Sequence, residues 1–191
     1  MKQIKLIAVA MMLLMCSSFV AAQMSKTESQ PTVTNVFDQG VSALEHEFVP
    51  AAEAMPADKY SFAPTNGDFK EVRTFAQQVK HVAATNFYLG AVIMGEKPPA
   101  EAGSSDTGPD SVQSKEQILK YLQDSFVYLH KAMRTLTEKN MLDPLKAPWG
   151  QNTTRLNLAI LLLAHPMDHY GQMVEYLRMN SIIPPASRPR K

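Results

Sequence analysis

Four segments of this chain repeat apolar residues at steps of three and four, and proline or glycine separates each segment from the next. This spacing places the apolar residues along one face of a helix. Helices of roughly 22 to 28 residues that each carry one apolar stripe need one another to bury it. The pattern therefore predicts an all-α fold, a four-helix bundle, with helices at residues 33–55, 69–94, 112–139 and 153–179.

The connection at residues 95–111 is rich in Gly, Pro, Ser, Asp and Glu. Its composition predicts a long surface crossover loop, so we do not expect every pair of consecutive helices to be joined by a tight hairpin. Asp68 is the expected N-cap of the second helix. No stretch alternates between apolar and polar residues for long enough to predict a β-strand.

The first 22 residues have the pattern of a secretory signal. Lys2 and Lys5 form a short basic region, residues 6–15 are uncharged and apolar, and small residues precede Gln23. We therefore predict a signal peptide at residues 1–22 and export to the periplasm or the extracellular space. Residues 23–191 then form the bundle domain, with its core at about residues 33–185.

Two other interpretations of this segment remain open. An uncleaved membrane anchor needs at least roughly 17 uncharged residues, and Cys16, Ser17 and Ser18 interrupt the apolar run. A lipoprotein signal would use Cys16, but such signals need a small residue where Met15 stands. No later segment is long and apolar enough to span a membrane.

The charge of the chain argues against nucleic-acid binding. The whole sequence has a formal charge of +1, and removing Lys2 and Lys5 without any acidic residue changes this to −1. A nearly neutral chain without a basic patch lacks the attraction to phosphates that such binding requires. Cleavage also removes Cys16, the only cysteine, so neither a disulfide nor a thiol nucleophile remains.

The sequence His165-Pro166-Met167-Asp168-His169 carries the strongest chemical signal. Residues four apart on a helix share one face, so the two imidazoles can bind the same metal ion. Neutral histidine nitrogen suits zinc, nickel, copper or iron. The alternative is a pair of core histidines without a metal. Pro166 either kinks the helix and re-aims His165 or begins a new helical turn after a short break.

A third ligand has to come from another helix, and three histidines are available. His46 lies opposite the apolar stripe of its helix, between Glu45 and Glu47, which favours a solvated side chain. His81 also lies off its stripe, on the polar side of its helix, and His130 lies at the edge of its stripe. The spacing alone does not choose among them.

Three stretches resemble the DinB-like family of metal-binding bundles. Residues 165–185 resemble its last helix, residues 54–65 its link between helices one and two, and residues 75–86 its second helix. The resemblance implies that His81, His165 and His169 bind a divalent metal, commonly zinc or nickel. It also implies possible thiol-dependent transferase or isomerase activity and a homodimer. Apolar residues outside the stripes, such as Phe87, Leu89 and Val127, could belong to a dimer surface or equally be scattered surface residues, so the composition does not decide.

Two classes of function follow. The first is a metal-dependent transferase or hydrolase that acts on a small molecule such as a low-molecular-weight thiol. The second is a non-catalytic metal-binding or interaction protein of the cell envelope. A catalytic residue cannot be assigned from the sequence. Four residues are candidates for the surroundings of the metal, in the pocket or hydrogen-bonded to a ligand: Asp168, Tyr88, Gln172 and Tyr176.

Overall fold

The computed structural model describes residues 30–68 and 71–189. From Thr32 onward these residues form one compact unit. Four α-helices build it: α1 at Val33–Ala54, α2 at Phe75–Met94, α3 at Lys115–Met133 and α4 at Arg155–Met179. The predicted signal peptide and Cys16 lie outside the described residues. None of the described helices combines the length and the apolar character needed to cross a membrane.

Local capping chemistry determines where each helix begins. A threonine or serine oxygen precedes every helix and accepts a hydrogen bond from the backbone N–H three residues on, which satisfies one of the free donors of the first turn. In α2 and α3 a glutamine at the third helical position reciprocates, forming a capping box. The four N-cap residues are Thr32, Thr74, Ser114 and Thr154.

These caps correct the predicted helix boundaries. Helix α2 begins at Phe75 rather than residue 69, and Asp68 is not its N-cap. Glu71 has a φ of 63°, so the chain is not helical just before Thr74. Helix α3 is also shorter than predicted, but Leu136 beyond its end is still fully buried. The apolar spacing thus continued past the point where the helix stopped.

The helices pack so that consecutive helices are not always neighbours. Helix α2 packs against α3 and α4, and α1 packs against the same two helices. Helices α1 and α2 are therefore diagonal partners, as are α3 and α4. Large apolar side chains fill the centre, including Phe48, Phe75, Phe126, Leu129 and Leu158. The expected four-helix bundle is confirmed, and its neighbouring pair α2 and α4 is the one that builds the site.

The connections differ in role. Residues 95–114 link the neighbours α2 and α3 and contact α2 along the way. Between α3 and α4 the chain forms a small antiparallel hairpin, with β1 at Pro144–Lys146 and β2 at Asn152–Thr154. The expectation that the chain contains no strand was wrong here, because strands of three residues are too short to show a period of two.

The three apolar residues outside the stripes differ in exposure. Phe87 and Leu89 are only 4% and 5% exposed, because the ring of Phe87 packs on Tyr121 and Tyr128 within the monomer. Val127 is 69% exposed. Of the three apolar residues considered for a dimer surface, one is therefore available to a partner.

Candidate metal centre

Three histidines from two neighbouring helices converge on one point. The Nε2 atom of His165 lies 3.1 Å from Nε2 of His81 and 3.0 Å from Nε2 of His169. His165 and His169 share a face of α4, as their spacing predicts. His169 is only 5% exposed, and the other two side chains are half-buried. Among the described residues, these three histidines form a group whose nitrogen atoms lie close enough together to hold a metal ion.

Hydrogen bonds at the outer nitrogens fix the tautomers of two of these rings. His81 Nδ1 lies 2.6 Å from the backbone oxygen of Asp106, and His169 Nδ1 lies 2.6 Å from Oε1 of Gln78. Both oxygens only accept, so both Nδ1 atoms donate. The inner Nε2 atoms of His81 and His169 therefore carry lone pairs, the form in which a neutral imidazole binds a metal.

The orientation of His169 depends on a chain of three further side chains, which we call the glutamine relay: Gln78, Gln172 and Asp168. The carboxylate of Asp168 can only accept, so it takes a hydrogen bond from Nε2 of Gln172 at 3.0 Å. The oxygen of Gln172 then accepts from Nε2 of Gln78 at 2.7 Å. This leaves the oxygen of Gln78 facing His169. A surface carboxylate thus sets the tautomer of a buried histidine through two amides.

The donor set fits a divalent metal better than it fits three histidines alone. His81 and His169 both direct lone pairs at Nε2 of His165, whose Nδ1 is buried without a hydrogen-bond partner. A proton on Nε2 of His165 would have to be shared between the two lone pairs that face it, and without that proton the three lone pairs would repel one another. A cation, in contrast, attracts all three nitrogens. Nitrogens that each lie about 2.0–2.1 Å from a tetrahedral zinc are about 3.3 Å apart. The distances from His165 to His81 and to His169 are close to this value, and all three ligand atoms lie within 4.8 Å of one another.

Burial keeps the histidines in the neutral form that binds metal. Removal from water and, to a lesser extent, the neighbouring His81 ring lower the pKa of His165 to about 4. The same two effects, with His165 as the nearer ring, lower the pKa of His169 to about 4. Burial also lowers the pKa of His81, although its hydrogen bond to Asp106 opposes this. All three nitrogens are therefore free to bind a cation near neutral pH.

Pro166 does not interrupt the helix that carries the pair. Helix α4 runs unbroken from Arg155 to Met179 with Pro166 buried inside it. The alternative of a helical break after which a new turn begins is therefore wrong. Both histidines stay on one face of a continuous helix, so the i, i+4 geometry holds.

The other candidate residues lie in different places. Tyr88 lies on α2 beyond His81 and is 42% exposed. The hydroxyl of Tyr176 donates to the backbone oxygen of Arg73, and its ring packs against Phe62. Tyr176 therefore supports the segment that leads into α2.

The two remaining histidines are not part of the cluster. His46 is exposed on α1. His130 binds the carboxylates of Asp38 at 2.6 Å and Glu45 at 3.3 Å, and so joins α3 to α1.

Two contributors to the site escaped the sequence analysis. Gln78 is 2% exposed. Its position directly before Val79 of the core stripe was the only signal in the sequence. Asp106 contributes its backbone oxygen, which no side-chain pattern can reveal. Its carboxylate binds Arg73 at 2.5 Å, which holds the loop in place over His81.

Comparison with known proteins agrees with this fold. The sequence profile of the DinB superfamily matches residues 41–173, which include all three histidines of the cluster. The crystal structure of a DinB-like protein from Bacillus cereus ATCC 10987 superimposes with a TM-score of 0.63 and 17% sequence identity, covering 81% of this chain and 96% of that chain. At this identity the likeness concerns the fold alone. No curated protein matches the sequence.

Proposed function

Because this chain belongs to the DinB superfamily, we propose that it binds a divalent metal ion, zinc or nickel, through His81, His165 and His169. We further propose that it is exported and that it acts as a metal-dependent transferase or hydrolase on a small molecule, such as a low-molecular-weight thiol. One observation supports the metal site above all others: the Nε2 atoms of His81 and His169 lie within 3.1 Å of Nε2 of His165, and both direct lone pairs inward.

The ligand count supports an enzyme. Three protein ligands leave a coordination position free, as in catalytic sites, whereas structural zinc sites use four protein ligands. A divalent ion bound here would supply Lewis acidity to a thiol or a water molecule. The chain itself would hold the ligands in the neutral form and set their direction, through Asp106 for His81 and through the glutamine relay for His169.

Elemental analysis of purified protein tests the metal site. We expect about one zinc or nickel per chain, and a large loss of metal in the single variants His81→Ala, His165→Ala and His169→Ala. His46→Ala is the matched control, because His46 is exposed and contacts none of the three ligands. Full metal content in the His81→Ala protein would refute the assignment.

Turnover separates the two classes of function. The metal-loaded protein should be screened with small thiols paired with electrophiles, and with activated esters. Turnover that disappears on chelation and in the His165→Ala variant supports the enzyme. Stoichiometric metal without turnover in this screen favours a non-catalytic metal-binding or interaction protein of the cell envelope.

A further inference from the structure

A cleft of about 390 Å³ opens directly beside the histidine cluster. Its floor is one face of α2, where His81, Thr85 and Tyr88 follow one another at steps of four and three. Residues 102–106 form one wall, and Trp149 forms another. We call this space the aromatic cleft. Its volume is within the range of pockets that hold small molecules, about 300–1,000 Å³.

Two exposed aromatic rings line the aromatic cleft. Nine large apolar side chains are exposed in the described part of the chain, and Tyr88 and Trp149 are the aromatic ones among them. Their exposed fractions are 42% and 54%, and both line this cleft. Aromatic rings held partly in water on the floor and on a wall of one cleft are surfaces on which another ring can stack.

The walls of the cleft are fixed before any ligand binds. Lys80 and Tyr121 bind backbone oxygens of the loop at Pro109 and Glu101, with distances of 3.0 and 2.7 Å. On the other side, Trp149 lies in the turn of the β1–β2 hairpin, whose register is set by backbone pairing from Pro144 to Thr154. A preformed cleft binds a ligand without a cost for ordering its walls.

The charges of the lining select against ionic ligands. The described residues that line the cleft include no lysine or arginine, so their side chains offer no counter-charge to an anion. The single carboxylate, that of Asp106, is already paired with Arg73 at 2.5 Å, which weakens its attraction for a cation. Apolar contacts come from Ala84, Leu89, Ala102 and Pro148.

We infer that the aromatic cleft binds the ring of an uncharged aromatic small molecule, with the ring between Tyr88 and Trp149 and a polar substituent toward His81. The direction of the polar substituent rests on the proposed function, because the substituent would face the metal ligands. Recognition of the ring itself depends on the cleft and not on the metal.

The test uses Trp149, the only tryptophan of the chain, as an internal reporter. 4-Nitrobenzyl alcohol is a neutral ring that quenches tryptophan fluorescence, and 4-nitrobenzoate and 4-nitrobenzylammonium carry the same ring with opposite charges. We expect saturable quenching by the alcohol, with an affinity at least about tenfold higher than for either ion, since an ionic group loses hydration in an apolar cleft. This comparison is made on the chelated protein, where no metal can bind the carboxylate, and equal or tighter binding of either ion there would overturn the inference.

Two variants locate the binding site. Thr85→Phe should fill the space next to His81 and reduce the affinity for the alcohol by at least about tenfold, with metal content unchanged. Val127→Phe is the control, because Val127 is 69% exposed on α3 and does not line the cleft. Undiminished binding to the Thr85→Phe protein would overturn the inference.

Failure of this inference is distinguishable from failure of the proposed function. The titration is run on both the metal-loaded and the chelated protein. Saturable binding by a protein that holds no metal on purification would support the cleft and contradict the metal site. Stoichiometric metal without saturable quenching would contradict the cleft and leave the metal site standing.

Discussion

Replacing Gln78 by Met tests whether the glutamine relay controls the metal site. Methionine is similar in size to glutamine but offers neither the oxygen that accepts from His169 nor the nitrogen that donates to Gln172. The buried Nδ1–H of His169 then lacks an acceptor, which costs about 1–3 kcal/mol. At roughly 3 °C per kcal/mol for a domain of this size, the melting temperature should fall by about 3–9 °C.

The same change should weaken metal binding. Without an acceptor at Nδ1, His169 can move its proton to Nε2, which removes the lone pair that faces the other histidines. Loss of such a hydrogen bond to a metal-binding histidine typically costs about 10- to 100-fold in affinity. Competition with a chromophoric chelator measures the affinity, and differential scanning calorimetry measures the stability of the metal-free protein.

Two further variants separate orientation from general damage. Gln123→Met is the control, because Gln123 is exposed on α3, and neither measurement should change. Asp168→Leu removes the carboxylate acceptor at the end of the relay and leaves Gln172 free to invert, so we expect a smaller loss of affinity in the same direction. If Gln78→Met lowers stability but leaves the affinity within about twofold, the relay does not set the tautomer of His169.

Further predictions concern the fold, pH and processing. Chelation should lower the melting temperature by roughly 5–10 °C, because a metal at a hundredfold excess over its Kd adds about 2.7 kcal/mol. The helical circular dichroism should persist, since the apolar core does not depend on the site; its loss at 25 °C would make the site structural. Between pH 6.5 and about 4, His165 and His169 bind protons in the unfolded chain but not in the folded protein, where their pKa values are about 4. The unfolding free energy of the metal-free protein should therefore fall as the pH falls through this window, on the order of 3 kcal/mol for His169, and urea titrations of a His165→Gln/His169→Gln variant should show a flatter profile. Gly108→Ala should cost more than Gly150→Ala in thermal unfolding: both glycines have positive φ, but a Cβ at Gly108 would lie 2.6 Å from the Tyr121 hydroxyl, whereas one at Gly150 meets nothing within 4 Å. Equal losses would show that the loop yields without displacing Tyr121. If the proposed export is right, N-terminal sequencing of native protein will begin near Gln23, and a start at Met1 would contradict cleavage; light scattering that gives a single-chain mass would contradict the homodimer.

The spacing of residues in the sequence determined the helices and two of the three histidines of the site. Apolar spacing is a local property of each segment, so it indicated four helices and the bundle that they must form. The shared face of His165 and His169 is equally local, because four residues of helix fix it. Helix ends were less certain, since caps such as Thr74 depend on single residues and compete with an apolar pattern that runs past them.

The family resemblance named His81 as the third ligand, but only the tertiary structure showed how His81 reaches the other two histidines and that Gln78 and Asp106 contribute to the site. His81 and Gln78 lie 84 to 94 positions from their partners on α4, and these contacts exist because α2 and α4 are neighbours in the bundle. Periodicity placed His81 on the solvent side of α2, but that side is partly covered by residues 102–106 and by the hairpin that carries Trp149. A backbone oxygen such as that of Asp106 belongs to every residue type, so its role follows from the path of the loop and from no pattern of side chains.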